Sequence, residues 1–194
     1  MFVRILSVSN MVIKLDIDGV LRDMITPMCK IYNEMFGTKM TPADVFDYDI
    51  DVSFPLFKEN GMNGFWVLFE KFSDLTMTSA KPYRGVAGAV RNLKKAGNKI
   101  VIVSYQPSAQ AQEKTREWLE RNKIEYDELV FVETKDKTVV PCDMIIDDCP
   151  WYLDAESDEV KKICISHAYN KDCKALHFPS LASFAKLVEA FGFC

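Results

Sequence analysis

Residues 11–17, MVIKLDI, form a short apolar run with β-branched residues, and the run ends abruptly at Asp18-Gly19. Such a run is typical of a strand that other layers cover on both faces. Similar runs alternate with helical patterns through the second half of the chain: strands at 99–104, 129–132, 144–147 and 162–166, and helices at 85–95, 108–122 and 180–191. This alternation predicts an α/β fold built on one parallel sheet.

A stretch without strand-like runs, residues 23–82, separates the first strand from the rest of the predicted sheet. It contains three helical patterns, at 27–37, from 41 onward and at 62–72. In the first of them, Pro27 near the start and Gly37 at the end are ordinary helix-boundary signals. We therefore predict a core formed by residues 1–22 and 83–194, with a helical insert at 23–82.

Charge and hydropathy argue against two classes of protein, those that bind nucleic acid polymers and those that span a membrane. The formal net charge of −4 supplies no overall positive field that could hold a nucleic acid polymer. Charges such as Arg4, Lys14 and Asp16 interrupt every apolar run, and none approaches the roughly 20 residues of a membrane span. The first residues lack a small-residue cleavage site, so we interpret them as part of the domain and not as a secretion signal.

The six cysteines are scattered, with neither a Cys-x-x-Cys motif nor a paired histidine. This spacing predicts no zinc site. Cys142, Cys149 and Cys164 lie in or beside apolar strands, where a free cysteine usually behaves as a small buried hydrophobe. The cysteines therefore indicate reduced thiols and a cytoplasmic protein.

Polar residues follow the predicted strands where each strand ends. In an open parallel sheet, ligands bind beyond the carboxyl ends of the strands. Asp16 and Asp18 are two residues apart in an extended run, so both can face one site, and Gly19 allows a sharp turn after them. The other members of the set are Ser104, Lys137, Asp147 and Asp148. We expect the six side chains to converge at one edge of the sheet.

Several carboxylates a few ångströms apart cannot all ionise unless a cation offsets their charge. Mg²⁺ prefers oxygen ligands and retains places for water and a substrate phosphate, so the sequence predicts a Mg²⁺ site. Each residue alone has a simpler explanation: an Asp can cap a helix or turn, Ser104 can be an N-cap, and Lys137 can be a solvated surface charge. The prediction therefore depends on the set as a whole.

The sequence resembles the haloacid dehalogenase-like phosphohydrolases. The resemblance rests on DIDGV at 16–20, a serine after an apolar strand at 104, Lys137, and the acidic pair at 147–148. Within that family it is similar to the 5′(3′)-deoxyribonucleotidase branch, through DKTVV at 136–140 followed by IDD at 146–148. The similarity is clear over 11–22 and 131–150 and diffuse over 83–120. It implies a Rossmann-like parallel sheet core with an inserted helical cap.

The resemblance also implies a role for each acidic residue. Asp16 would attack phosphorus to give an aspartyl-phosphate, which water then hydrolyses, and Asp18 would be the general acid and base. Mg²⁺ would be bound by the Asp16 carboxylate, the Asp18 backbone carbonyl and Asp148, with Asp147 in support. A carboxylate is a legitimate covalent nucleophile, and a second one within reach can move the proton.

For the substrate, the resemblance implies that Ser104 and the amides after it hold phosphoryl oxygens and that Lys137 stabilises the transferring group. Tyr105 departs from the branch, because a bulky phenol stands where a small hydroxyl is expected. Phe65, Trp66 and Phe69 in the insert could stack on a nucleobase. The alternative for these three aromatic residues is an ordinary apolar stripe within the insert.

These features predict a Mg²⁺-dependent phosphomonoesterase acting on small phosphomonoesters, namely (deoxy)nucleoside monophosphates. Three alternatives stay open: a phosphatase of another small metabolite, a phosphotransferase on the same core, and a catalytically silent binding module. Because related enzymes are often dimeric, the resemblance also makes a homodimer an expectation, although no sequence feature identifies an interface.

Overall fold

The structure, a computed structural model, describes residues 8–190 except Lys135 and the side chain of Phe65. Within that range six strands form one sheet in which every neighbouring pair is parallel. The strands are β1 (Val12–Leu15), β2 (Lys99–Tyr105), β3 (Glu128–Val132), β4 (Met144–Asp147), β5 (Lys161–Ile165) and β6 (Leu176–Phe178). Their order is β3-β2-β1-β4-β5-β6, which places β1 between β2 and β4. The predicted α/β fold with a parallel sheet is confirmed.

The sheet differs from the sequence prediction mainly at β1 and β6, and the bounds of β2, β3 and β5 shift by one residue. β1 ends at Leu15, two residues before the predicted end, because the chain then turns sharply. In that turn the amides of Leu21 and Arg22 both donate to the carbonyl of Ile17. The edge strand β6 was not predicted, since three residues are too few to show a period.

Eight α-helices accompany the sheet in the described part of the chain. They are α1 (Ile25–Phe36), α2 (Ile50–Ser53), α3 (Pro55–Glu59), α4 (Gly64–Trp66), α5 (Val86–Lys95), α6 (Ala109–Arg121), α7 (Pro150–Ala155) and α8 (Leu181–Ala190). Apolar residues of α5, α6 and α8 form the main core with one face of the sheet, while α7 packs against β4 and β5. No helix of the described residues is long and apolar enough to cross a membrane.

Helices α1 to α4 lie in the long segment between β1 and α5, and two π-helical turns at Val67–Lys71 and Asp74–Thr78 complete it. This segment has its own buried apolar cluster. At its centre Tyr32 contacts Phe36, Phe54 and Phe57 edge to face, with ring centroids 5.1, 5.2 and 5.1 Å away. The division into a core and a cap at 23–82 stays a prediction. The ends of the predicted core, at 1–7 and 191–194, lie outside the described residues.

Candidate active site

The functional candidates meet because β2, β1 and β4 are adjacent and parallel, so their carboxyl ends share one edge of the sheet. Asp16 follows β1, Ser104 lies near the end of β2, and the pair 147–148 ends β4. A cavity of about 940 Å³ opens at this edge. It is lined by residues that follow the strands and by residues of the helical insert, among them Ile25, Tyr48, Phe54 and Leu68.

Lys137 lies between two of the acidic residues. Its Nζ is 2.8 Å from Asp16 Oδ1 and 2.8 Å from Asp147 Oδ2, and all three side chains are buried. The ammonium also lies 4.2 Å from the centre of the Tyr152 ring. Burial alone would lower the pKa of Lys137, but Asp147 and Asp16 outweigh it and raise the pKa above its usual value. The lysine is therefore a permanent positive charge within the acidic cluster.

Burial raises the pKa of Asp16 to about 7, against the opposing effect of Lys137, and Asp147 and Asp18 raise it further. Asp148 behaves in the same direction: burial raises its pKa well above the usual value, and Asp147 and Asp16 add to the effect. The environment of these two carboxyl groups thus disfavours their ionised form. A bound cation would lower both pKa values, since it favours the charged form.

The residues present fit a divalent ion. Asp16, Asp147 and Asp148 each offer a carboxylate oxygen, and these oxygens lie within 4.8 Å of one another. Asp148 Oδ1 is buried without a hydrogen-bond partner among the described residues, and such an atom is costly unless a ligand satisfies it. An all-oxygen donor set is what Mg²⁺ prefers. The cluster would therefore hold Mg²⁺ through these three carboxylates.

The other oxygen of Asp148 and its backbone are held by the loop after β5. The Tyr169 hydroxyl donates to Asp148 Oδ2, and Asn170 Nδ2 donates to the Asp148 carbonyl at 2.8 Å. The same loop reaches the turn after β1, where His167 Nε2 donates to the Gly19 carbonyl at 2.7 Å. This loop therefore connects the two acidic segments.

Gly19 is required at its position by both conformation and space. Its φ of +86° lies in the left-handed region, and a Cβ there would stand 2.1 Å from Asp148 Oδ2. Any other residue would displace the Asp148 carboxylate. The glycine predicted to allow a sharp turn thus also leaves room for the neighbouring acid.

Asp18 lines the cavity, but its carboxylate is engaged by Arg22. Arg22 Nε is 2.6 Å from Oδ1 and Nη2 is 2.8 Å from Oδ2, and the arginine is fully buried. Gln106 Nε2 donates both to Asp18 Oδ2 at 3.2 Å and to Ser104 Oγ at 2.9 Å. Asp18 and Ser104 are therefore linked through one amide group, a connection that sequence reasoning missed.

Lys14 is a further residue that sequence reasoning missed. It is buried within β1, and its Nζ donates to the carbonyls of Lys137 and Val140 at 2.8 Å each and to the Glu156 carboxylate. Lys14 thereby holds the backbone of the loop that carries Lys137. A lysine inside an apolar strand run was the signal available in the sequence, since a buried charge needs a partner.

Aromatic side chains form part of the cavity wall. Tyr48 from the insert contacts Trp151 of α7, with ring centroids 5.2 Å apart, and Tyr105 lines the cavity as well. Trp66 is not among the described residues that line it; this residue is 45% exposed, and its ring lies beside Lys71. The side chain of Phe65 lies outside the described residues. The Tyr48–Trp151 pair was not anticipated from the sequence.

Comparisons with known proteins identify the family and the fold of the chain. The family model of 5′ nucleotidase, deoxy (pyrimidine), cytosolic type C protein matches residues 10–188. Among solved structures the chain is similar to a predicted phosphatase from Clostridium acetobutylicum, with a TM-score of 0.63 and 16% identity over 94% of this chain and 99% of that one. It is also similar to the L-2-haloacid dehalogenase of Xanthobacter autotrophicus, with a TM-score of 0.60 and 12% identity over 92% and 98% of the two chains. No curated protein sequence matches. At these identities the structures establish the fold alone.

We expect Gly19→Ala to weaken Mg²⁺ binding at least about tenfold, because the new methyl group would push away the Asp148 carboxylate. The measurement is the Mg²⁺ concentration that half-saturates phosphate release from p-nitrophenyl phosphate. Gly37→Ala is the matched control: Gly37 also has a positive φ, +67°, but nothing lies within 4 Å of its added Cβ. Equal Mg²⁺ requirements in the two variants would contradict the prediction.

We expect Lys14→Met to lower the free energy of unfolding by about 3 kcal/mol, because it leaves Glu156 buried without its cation. Urea unfolding followed by circular dichroism measures the loss. The control is Lys99→Met. It removes an ion pair with Glu128 in which both side chains are half-exposed and the charged atoms are 2.9 Å apart, and it should lower the free energy of unfolding by less than about 1 kcal/mol. A loss no larger at Lys14 than at Lys99 would show that the buried pair is not stabilising.

Proposed function

The chain belongs to the 5′ nucleotidase, deoxy (pyrimidine), cytosolic type C family, and on that premise we propose that it hydrolyses (deoxy)nucleoside monophosphates with Mg²⁺. Membership makes it a phosphoric monoester hydrolase. The observation that carries the proposal is the buried cluster of Asp16, Lys137, Asp147 and Asp148 at the bottom of a cavity with an aromatic wall. We also propose a cytoplasmic location, in line with the family description, and a homodimer as the assembly.

In the proposed first step, a carboxylate oxygen of Asp16 forms a bond to phosphorus while the bond from phosphorus to the leaving oxygen breaks. Asp18 donates a proton to that leaving oxygen and later takes one from the water that attacks the aspartyl-phosphate. Mg²⁺, when bound, supplies Lewis acidity and offsets the negative charge that Asp16 and the phosphate share. Lys137 is already in place against Asp16 and would stabilise the charge on the transferring group.

Ser104 and Asp18 already have hydrogen bonds that suit phosphate binding and proton transfer, respectively. Ser104 Oγ accepts from Gln106, so its own O–H can donate to a phosphoryl oxygen. Asp18 is held on both oxygens by Arg22, and one of these contacts must loosen before that oxygen carries a proton. We therefore propose that Arg22 keeps Asp18 in place between the two proton transfers.

The charge of the cavity supports a nucleoside as the leaving group. Lys137 is the one basic side chain among the described residues that line it, whereas the insert contributes Asp47, Asp49 and Asp51. A leaving group with a further negative charge would be repelled by these acids. A nucleoside is uncharged, and its base can pack against the Tyr48–Trp151 pair. A simple sugar phosphate has no base to pack against this pair.

The alternatives are separated by the chemistry of the products. A phosphatase of another metabolite would release phosphate from that metabolite faster than from dUMP or dTMP. A phosphotransferase would pass phosphate to an added alcohol in preference to water. A silent binding module would bind the nucleotide and release no phosphate, and it would have no chemical need for both Asp16 and Asp18.

We expect Asp16→Asn to lower phosphate release from dUMP by at least about 10³-fold, because an amide cannot act as the nucleophile. The variant should still fold, since Asp147 remains as a partner for Lys137. Asp158→Asn, an exposed position outside the cavity, is the control and should retain the parent rate. Hydrolysis that persists in Asp16→Asn, or in the parent with excess chelator, would refute the mechanism.

We expect Trp151→Ala to raise the KM for dUMP about tenfold, because stacking on a base is worth about 1–3 kcal/mol. The KM for ribose 5-phosphate, which has no base, should change little. Tyr126→Ala is the control, since this aromatic side chain is also solvent-exposed but does not line the cavity. Equal changes for the two substrates would remove the support for base stacking at Trp151. The same assay on Trp66→Ala tests the prediction made for that residue from the sequence.

A further inference from the structure

A second group of potential metal ligands lies away from the catalytic carboxylates, on the outer strands of the sheet. Cys164 of β5, His177 of β6 and Cys173 of the intervening loop each present one donor atom, and these atoms lie within 4.8 Å of one another. We propose that this thiol–imidazole cluster, Cys164, Cys173 and His177, binds one Zn²⁺ ion. The proposal is independent of the substrate of the active site.

The sheet itself brings two of the three donors together. Cys164 and His177 are register partners in the parallel pair β5–β6, so their side chains leave the same face. Cys164 packs with Ile145 and Leu153 beneath α7, whereas its neighbours Ile163 and Ile165 pack into the main core on the opposite face. Cys173 packs against the Cys164 side as well. Donors that are distant in sequence are thus held on one face by backbone pairing.

The hydrogen bonds of His177 leave one ring nitrogen, Nδ1, available to a metal. Nε2 lies 2.9 Å from the Cys173 carbonyl oxygen, which can only accept, so Nε2 carries the proton. Nδ1 therefore bears the lone pair, and the Ser166 hydroxyl 3.2 Å away donates to it. A histidine that binds a metal usually donates its other ring N–H to a carbonyl or carboxylate in this way. An incoming ion would replace the hydroxyl at Nδ1.

The two thiols favour a soft cation over Mg²⁺. Zn²⁺ would replace both thiol protons, which leave to solvent. Thiolate and imidazole donors select Zn²⁺, whereas Mg²⁺ and Ca²⁺ select oxygen. Because Cys173 and His177 are only partly buried, a water can complete a tetrahedral set.

The proposed ion would support the loop that holds the catalytic acid. That loop runs from β5 to β6 and contains Tyr169 and Asn170, both of which bond to Asp148. Cys173 lies three residues after Asn170, and its amide donates to the Asn170 carbonyl at 3.1 Å. An ion on Cys164, Cys173 and His177 would fix the far end of this loop to the sheet. The proposed zinc site is thus structural, and the ion takes no part in the reaction.

Co²⁺ added to the full-length protein in saturating Mg²⁺ tests the site, because thiolate ligation gives a near-ultraviolet charge-transfer band that carboxylates do not give. We expect the band to saturate at one equivalent and to disappear when Zn²⁺ is added. Zn²⁺ should also raise the Tm of the parent. Absence of the band in the parent would overturn the proposal.

Cys173→Ser and His177→Gln identify the ligands, and both positions are partly exposed, so the variants should fold. We expect each to lose the band and to bind Co²⁺ at least about tenfold more weakly. Cys29→Ala, which removes a thiol buried in the helical insert, is the control and should keep the band. A band that persists in both ligand variants would place the thiolate elsewhere and would also overturn the proposal. Far-ultraviolet circular dichroism verifies that each variant is folded.

Discussion

The buried contact of the Lys137 ammonium with Asp16 and Asp147 is the interaction on which the active site depends. Removing several charges from water costs several kcal/mol for each ion, and only close pairing offsets that cost. Two distances of 2.8 Å provide such pairing, yet three carboxylates share one ammonium. The unpartnered Asp148 Oδ1 and the neighbouring carboxylate oxygens of Asp16 and Asp147 are the atoms that would hold a divalent ion here.

Buried polar side chains outside the reacting group hold this arrangement in place. Lys14 fixes the carbonyls of Lys137 and Val140, Arg22 fixes Asp18, and Asn170 fixes the backbone of Asp148. Lys14 and Asn170 join segments that are far apart in the chain, whereas Arg22 lies four residues from Asp18. Because the site is formed from such separate segments, its geometry can be precise only when the whole core is folded, and a substitution at any of these supports should act on activity through position.

The aromatic wall of the cavity and the acidic cluster come from different parts of the chain. Tyr48 of the insert meets Trp151 of α7, so the wall against which a base would pack spans the helical insert and the sheet core. The insert also contributes three acids to the cavity lining, at 47, 49 and 51, which in our proposal disfavour a leaving group with further negative charge. Reaction type and substrate class thus have separate structural origins, which is consistent with a fold shared by phosphatases and a dehalogenase.

Apart from the short elements α7 and β6, the alternation of strands and helices, the parallel sheet and the residues at the strand ends were predictable from the sequence, because strand periodicity and the position of each acid at the end of its run are local properties. The partners of these residues were not. Trp151 against Tyr48 and His177 beside Cys164 are contacts between side chains, and Lys14 donates to the carbonyl of Lys137, which is 123 residues away in the chain. Only the packing of the sheet, its helices and its loops decides such contacts, since spacing along the chain carries no information about which distant segments become neighbours.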